Sequence, residues 1–242
     1  MEMRRRRELI VGVSLFASPD DPQDRMYDYV YLLRKWLPVV AQVARRNGYA
    51  PRLLLYTDGS VPPATLEVID ADARQHYAYQ RVTERTGRPL LTNTLPRLQV
   101  LGMPRPGDVA VVLDADLWHD RQWLGCLDAF LKSNRAVLRT CVLGYKSTWP
   151  VAAGILATRV PLQVDYRAYL ASKSDAECGY GVDQDFLYSV VWPVLRAQSA
   201  MVATASLGPT ERRKALPPEW CGTDDSFVSN AWVSWTDFAS KL

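Results

Sequence analysis

Histidine and cysteine, which supply many transition-metal ligands, are scarce in this sequence. Two histidines and four cysteines occur in 242 residues, and the cysteines lie far apart without a CxxC pair. This spacing argues against a zinc site of paired cysteines and against a dense disulfide framework. The simplest expectation is a protein of a reducing compartment, and we therefore expect a cytoplasmic location.

The chain also lacks long apolar runs and a strong net charge. No apolar run approaches the length of a membrane span, so no span is expected. The net charge of +3 is too small to indicate a nucleic acid partner. The arginines at 4–7 and the apolar residues 9–17 resemble a signal peptide. However, Glu8 interrupts the junction and the run is barely long enough, so we interpret it as a strand.

Glycine-rich phosphate loops are missing too, since neither the GxxxxGK pattern nor GxGxxG occurs. The composition is that of an ordinary globular protein, with 48% hydrophobic and 23% charged residues. The length suffices for one large α/β domain or two small ones, and no repeat, linker or boundary divides it. We expect a single domain over residues 1–242.

The most informative segment is an apolar strand, residues 109–113, that runs into Asp114 and Asp116. In an extended chain these two carboxylates point the same way, at the carboxyl end of the strand where open α/β sheets bind ligands. Two oxygen donors without His or Cys beside them suit Mg²⁺ or Mn²⁺, which can bridge carboxylates to a diphosphate. Because Asp-x-Asp is short, a pair of solvated turn aspartates is the alternative.

Upstream, apolar runs at 9–16 and 53–59 predict strands, and helical spacing over 26–46 predicts a helix between them. This is a strand-helix-strand unit with an expected right-handed connection. The strand ends carry groups suited to holding a nucleotide base and ribose, with ordinary loop residues as the alternative. These residues are Ser14, Leu15, Phe16, Thr57 and Asp58.

Residues 60–94 give little information beyond a helix or short strand and a surface loop. A short helix is predicted at 95–101, and its Arg97 could brace an aspartate or a phosphate, or simply be solvated. The loop 144–150 is rich in rings and cations, Lys146 among them, and suits sugar faces and phosphates. A packed loop anchored by Trp149 is the competing interpretation.

Further elements complete an α/β pattern. A helix is predicted at 121–131, strands at 136–143 and 151–157, and a helix at 161–171. After Gly179-Tyr180-Gly181, an Asp at the N-cap position opens another helix with the polar series Asp183-Gln184-Asp185. Capping explains Asp183 alone, but it does not explain three such side chains in succession.

The order of these motifs resembles that of the GT-A-fold glycosyltransferases, and it is most similar to the glycogenin-like and galactosyltransferase-like group. That pattern is an Arg-Leu helix, an apolar strand into Asp-x-Asp, a small-residue strand, Asp-Gln-Asp opening a helix, and a later Leu-Pro-x-x-Trp. The matching residues are Arg97-Leu98, 113–116, 152–156, 183–187 and 216–220. The resemblance implies a Rossmann-like fold with a mostly parallel central sheet flanked by helices.

The resemblance also implies roles for the residues. Asp114 and Asp116 would carry Mn²⁺ or Mg²⁺ on the diphosphate of a nucleotide sugar, and Gly154 would lie under the sugar. Asp183, Gln184 and Asp185 would contact the donor sugar or the acceptor near the reacting carbon. The base and ribose pocket would be lined by Ser14, Leu15, Thr57 and Asp58.

Two departures from the family pattern concern the metal and the donor sugar. The late His ligand of the family is missing, because the histidines here are His76 and His119. Water, the diphosphate, or Asp224 or Asp225 would complete the metal shell. The usual Asn before Ala-Gly is Ala152, which affects contacts with the donor sugar.

The expected function is a metal-dependent transfer of a sugar from a UDP- or GDP-sugar to a hydroxyl of a glycan or another acceptor. One carboxylate could deprotonate that hydroxyl in an inverting enzyme or stabilise the cationic sugar in a retaining one. The alternatives are a nucleotidyl- or phosphoryl-transferring enzyme and a nucleotide-sugar or glycan-binding protein without turnover. A phosphatase is weaker still, because Leu117-Trp118 replaces the residues expected after its Asp-x-Asp.

Overall fold

A computed structural model describes residues 5–17, 23–115, 121–143, 148–152, 154–206 and 226–228. The strands are β1 (Glu8–Leu15), β2 (Ala50–Thr57), β3 (Ala78–Thr83), β4 (Val109–Leu113), β5 (Val137–Leu143), β6 (Thr148–Trp149), β7 (Ile155–Thr158), β8 (Ala200–Ser206) and β9 (Ser226–Val228). The helices are α1 (Gln23–Arg46), α2 (Pro63–His76), α3 (Arg121–Lys132), α4 (Tyr166–Ala171), α5 (Val182–Phe186) and α6 (Trp192–Leu195). A 3₁₀ segment spans Leu90–Gly102, and a single 3₁₀ turn spans Asp175–Glu177. A π-helical turn, Leu187–Val191, joins α5 to α6.

In the described part of the chain, the strands form one sheet in the order β3-β2-β1-β4-β7-β5-β8-β9, with β6 paired to β5. Neighbouring strands are parallel except at β7, which runs antiparallel to β4 and β5, and at β6. Helices cover both faces. The predicted α/β class, with a Rossmann-like, mostly parallel sheet flanked by helices, is confirmed.

The alternation of side chains along β1 explains why the sheet has helices on both faces. Leu9, Val11 and Val13 belong to one buried cluster, which includes residues of α1, α2 and α3. Ile10 belongs to a second buried cluster, which includes residues of the 3₁₀ segment Leu90–Gly102 and of α4 to α6. A strand that is buried on both faces has no solvent-exposed side chains, so its sequence is a continuous apolar run.

The elements with strong apolar patterns lie within a few residues of their predicted positions: β1, β2, β4, β5, α1 and α3. The sequence did not decide between a helix and a short strand for β3, because β3 is an edge strand with largely exposed side chains. The predicted strand at 151–157 begins only at Ile155, and the predicted helix at 161–171 begins only at Tyr166. The late start of α4 has a local cause, because the Asp165 carboxylate accepts a hydrogen bond from the Ala168 amide at 2.9 Å and caps the helix there.

The predicted helix around Arg97 is a longer series of 3₁₀ turns that lies very close to β1. Gly12 makes this approach possible, because a Cβ built there would be 2.7 Å from both the Arg97 carbonyl oxygen and a methyl group of Val100. Such distances are far below van der Waals contact, so only glycine fits under the segment. The backbone of β1 thereby fixes the height of Arg97 above the sheet.

No helix among the described residues has both the length and the apolar character needed to cross a bilayer. The three described cysteines, Cys126, Cys141 and Cys178, are buried.

Asp128 joins the end of α1 to α3, and its loss should destabilise the protein in a pH-dependent way. Burial raises its pKa, but hydrogen bonds from Lys132, Asn47 and Arg46 outweigh burial and lower the pKa to about 2. An aspartate in the unfolded chain has a pKa of about 3.9, so this stabilisation is present above that pH and disappears as the pH falls towards 2. We expect Asp128→Asn to lower the free energy of unfolding by about 1 kcal/mol at neutral pH, since the partners are largely exposed.

Urea unfolding of wild type and Asp128→Asn between pH 7 and pH 2 would measure this difference. The two curves should converge at the acidic end. A difference that stays constant over the whole range would show that the carboxylate charge is not its cause.

Candidate functional site

The carboxyl ends of three parallel strands meet at one edge of the sheet, which we call the site edge. Leu15 at the end of β1 is in register with Thr57 at the end of β2, and β4 runs parallel on the other side of β1. The amino end of the antiparallel β7 reaches the same edge, and the Asp114 amide donates a hydrogen bond to the Gly154 carbonyl at 3.2 Å. Asp114 and Gly154 are therefore neighbours, although forty positions separate them.

Arg97 connects two of the predicted site residues. Its guanidinium forms an ion pair with Asp114, and its Nη2 donates to the Asp183 carboxylate at 3.2 Å. Nη1 also lies 3.5 Å from the Leu113 carbonyl. Only 3% of the Arg97 side chain is exposed, so this cation is fixed inside the protein and is not a solvated surface charge. The sequence leaves two interpretations of Arg97, one that braces an aspartate or a phosphate and one that is simply solvated, and the structure shows contacts with two aspartates.

The environment of Asp183 changes its acidity. Burial raises its pKa, the Arg97 charge opposes the rise and the nearby Asp114 charge adds to it, so the net pKa lies above that of an ordinary aspartate. Its Oδ1 accepts a hydrogen bond from the Gln184 amide at 2.8 Å. A carboxylate with a raised pKa accepts a proton more readily than a free aspartate does.

Asp185 and Gln184 face other parts of the protein. Residues two apart are separated by about 200° around a helix axis, so Asp183 and Asp185 lie on opposite sides of α5. The Tyr169 hydroxyl and Lys173 Nζ donate to Asp185 at 2.5 and 3.1 Å, and these contacts lower its pKa despite the opposing effect of burial. Gln184 donates to the Val151 carbonyl and ties α5 to the segment before β7.

The start of α5 corrects one detail of the sequence interpretation. The N-cap residue is Gly181, in the left-handed conformation with φ of 84°, and the helix begins at Val182. Asp183 therefore lies in the first turn and is not the cap. Capping does not account for Asp183, whose carboxylate is directed to Arg97.

The predicted base and ribose residues lie together at the ends of β1 and β2. Ser14, Thr57 and Asp58 are buried, and Phe16 is half-buried. Leu15 packs in the hydrophobic core, so only its backbone is available to a ligand. Their binding role stays a prediction.

Asn93 is a residue of this region that the sequence did not reveal. Its side-chain amide donates to the Asp58 carboxylate at 2.9 Å, and the Ser60 amide donates to the other Asp58 oxygen at 2.9 Å. Asn93 lies 35 positions from Asp58 and follows no local pattern, so only the fold brings them together. The Asp58 carboxylate is thus held in one orientation from both sides.

Several predicted residues lie outside the described residues. They are Asp116, Lys146, His119, Asp224, Asp225 and residues 216–220. In the same loop region as Lys146, Trp149 packs edge-to-face on Tyr188 with ring centroids 5.7 Å apart, the kind of packing contact expected of an anchored loop.

The comparisons with known proteins show limited similarity. No protein-family model and no curated protein matches the chain. Among solved structures, S. aureus TarS 1-349 in complex with UDP-GlcNAc is 14% identical with a TM-score of 0.35, and the match covers 58% of this chain and 36% of TarS 1-349. The chain thus spans little more than a third of that protein.

Two other similar structures match along most of their length. A Bacillus anthracis protein assigned as a glucose-1-phosphate thymidylyltransferase, in complex with sucrose, is 7% identical with a TM-score of 0.48, over 83% of this chain and 87% of that one. The 4-diphosphocytidyl-2C-methyl-D-erythritol synthase of Anaerococcus prevotii is 12% identical with a TM-score of 0.37, over 81% and 87%. With TM-scores below 0.5, none of these matches decides the function of this chain.

Proposed function

We propose that this protein is a metal-dependent glycosyltransferase that moves a sugar from a UDP- or GDP-sugar to a hydroxyl acceptor. The observation that carries the proposal is the buried Arg97, which joins Asp114 at the end of β4 to Asp183 on α5. These three residues come from distant parts of the chain and form the center of the motif order that resembles glycosyltransferases. A solvated turn aspartate would not need a buried guanidinium to hold it.

The donor set at Asp114 suits Mg²⁺ or Mn²⁺. The Asp114 side chain is 31% exposed with one oxygen on Arg97, so it can also offer an oxygen from the solvent side. The described residues include no group of three or more His, Cys, Asp or Glu that could hold a metal alone. Mg²⁺ is commonly bound by one or two carboxylates together with substrate phosphates and water, and Asp114 with the predicted Asp116 fits that description.

The protein's own residues would then divide the work. Arg97 fixes the Asp114 carboxylate at the site edge, and the Asp58 carboxylate is held ready for a ribose hydroxyl by Asn93 and Ser60. Asp183, with its raised pKa, would accept the proton of the acceptor hydroxyl. A bound divalent ion would neutralise the negative charge that develops on the departing diphosphate.

A panel of nucleotide sugars with Mn²⁺ tests the proposal, with release of nucleoside diphosphate measured with and without candidate acceptors. We expect Asp114→Asn to weaken Mn²⁺-dependent donor binding at least about 10-fold. Residues that only hydrogen-bond to the ligands of a metal are already worth about 10–100-fold in metal affinity, and a direct ligand should be worth no less. Asp72→Asn is a matched control, because Asp72 pairs with Arg34 at 2.5 Å outside the site.

Three outcomes separate the hypotheses. Metal-dependent release that is lost in Asp114→Asn but kept in Asp72→Asn supports glycosyl transfer. Binding of a nucleotide sugar without release under any acceptor would indicate a binding protein. Donor binding that is absent, or unchanged in Asp114→Asn, would overturn the proposal.

A further inference from the structure

The edge of the sheet opposite the site edge is rich in arginine. It is formed by the amino ends of the parallel strands, by the carboxyl ends of α1, α3 and α6, and by the carboxyl end of the antiparallel β7. We call the following residues the basic edge: Arg5, Arg6, Arg7, Arg45, Arg46, Arg105, Lys132, Arg135, Arg159 and Arg196.

Contacts between these residues and their neighbours show that the edge is continuous. The Arg7 guanidinium lies over the Tyr49 ring, 4.5 Å from its centroid, and Arg159 Nη1 donates to the Tyr49 hydroxyl at 2.7 Å. Arg159 Nε donates to the Arg135 carbonyl at 3.0 Å. Arg5 reaches Asp108, just before β4, at 2.9 Å. The edge therefore runs without a break from β2 across β1 and β4 to β5.

Part of the positive charge is used inside the fold. Asp128 pairs with both Arg46 and Lys132, and the buried Asp108 pairs with Arg5. Among the described residues, no carboxylate forms an ion pair with the other exposed cations of the edge, which are Arg6, Arg7, Arg45, Arg105 and Arg196. Among the described residues that pair with cations of this edge, the acidic ones are Glu8, Asp108 and Asp128, which are fewer than the ten basic ones.

The site edge has a different balance of charge. Its carboxylates Asp114 and Asp183 share the cation Arg97, and the Asp58 carboxylate is held by Asn93 and Ser60. The net charge of +3 sums over the whole chain and does not show the excess of cations at the basic edge. A strongly charged edge of this kind generates a local potential that attracts partners of opposite sign.

We propose that the basic edge binds the surface of an anionic phospholipid membrane. Guanidinium groups form paired hydrogen bonds with phosphate oxygens, and the edge offers arginine almost exclusively. Adjacent strands lie about 4.8 Å apart, so cations that flank their amino ends are close enough together to meet several head groups at once. Docking by this edge would leave the site edge facing the solution. The inference does not depend on the proposed function.

A single-stranded nucleic acid is a less suitable partner for this edge. Such ligands stack their bases on exposed aromatic side chains beside the basic groups. In the described part of the chain, the large exposed aromatic residues are Tyr31, Tyr180 and Tyr188, and none of them belongs to the basic edge. An anionic membrane surface requires positive charge, which the edge provides.

Cosedimentation with vesicles tests the proposal on the full chain. We expect binding to vesicles that contain phosphatidylserine, little binding to phosphatidylcholine alone, and a loss of binding as salt is raised. The triple variant Arg6→Gln/Arg105→Gln/Arg196→Gln removes exposed cations of the edge. Each basic residue near an anionic surface is worth about five-fold in affinity, so the triple variant should bind about a hundred-fold more weakly.

A second triple variant, Arg34→Gln/Lys35→Gln/Arg167→Gln, removes the same charge from exposed positions elsewhere and should keep most of the binding. Equal losses in the two variants would overturn the proposal, since the net charge alone would then explain binding. Equal binding to both kinds of vesicle would also overturn it. So would tighter binding to a single-stranded oligonucleotide than to phosphatidylserine vesicles at the same salt concentration.

Discussion

Asp183→Asn is expected to lower the rate of sugar transfer by about 100-fold or more while leaving donor affinity within a few-fold of wild type. The substitution keeps the shape of the side chain and removes its ability to accept a proton, which is worth about 10²–10⁴-fold in general base catalysis. The Arg97 guanidinium retains its contact with Asp114, so the metal side of the site should survive. Steady-state kinetics with the active donor, together with direct measurement of donor binding, would separate the two effects.

Asp185→Asn is the matched control for this experiment, because Asp185 lies on the same short helix. Its carboxylate is 45% exposed and is held by Lys173 and Tyr169, away from Arg97. We expect a smaller loss of transfer in this variant. The sequence interpretation gave both aspartates a catalytic role, and equal losses would restore that view and contradict the division made here.

The pH dependence of transfer provides an independent readout of Asp183. Its raised pKa means that the proton-accepting form is lost on acidification at a higher pH than for an ordinary aspartate, which titrates near about 3.9. The rate should therefore decrease on the acid side while most surface aspartates are still ionised. Asp183→Asn should lack this acid limb, and a limb of the same shape in the variant would assign it to another group.

Arg97→Met should lower the free energy of unfolding by about 3 kcal/mol at neutral pH. Removing one partner of a buried ion pair typically costs about 3–5 kcal/mol, and the lower value applies because Asp114 is partly exposed to solvent. The variant leaves the Asp114 and Asp183 carboxylates near each other without the cation between them. Urea unfolding followed by tryptophan fluorescence would measure the loss.

Two further variants identify the cause of this loss. Arg97→Met/Asp183→Asn should regain part of the stability, because only one of the two carboxylates remains ionised. Arg97→Lys keeps the charge but cannot reach both carboxylates with a planar fork, so it should fall between wild type and Arg97→Met. If the double variant is no more stable than Arg97→Met, repulsion between the carboxylates is not what destabilises the protein.

Much of the fold could be predicted because its buried strands have no polar face. The apolar runs of β1, β2 and β4 identify these segments as buried strands from the local sequence alone. The position of Asp114 follows from where β4 ends. β3 escaped notice because its side chains are largely exposed, so neither an apolar run nor a clear alternation marks it. Hydrophobic sequence patterns indicate which side chains are buried, so they predict poorly those elements whose side chains are largely exposed.

The candidate site could be predicted only in part, because its contacts are distant in sequence. Arg97 and Asp183 are 86 positions apart, and no local periodicity relates them. The opposite orientations of Asp183 and Asp185 were missed for another reason. The polar series Asp183-Gln184-Asp185 looks like one cluster in the sequence, whereas a helix turns its first and third members to opposite sides.

The reversed direction of β7 has a consequence for how this protein could diversify. Because β5 ends at the site edge and β7 begins there, the connection between them starts and finishes at that edge, and it leads into Gly154 beside Asp114. Changes in the length of this connection would alter that rim while the sheet registers of β1, β2 and β4 stay intact. Insertion or deletion at this single place would therefore reshape one side of the site edge and leave the other side unchanged.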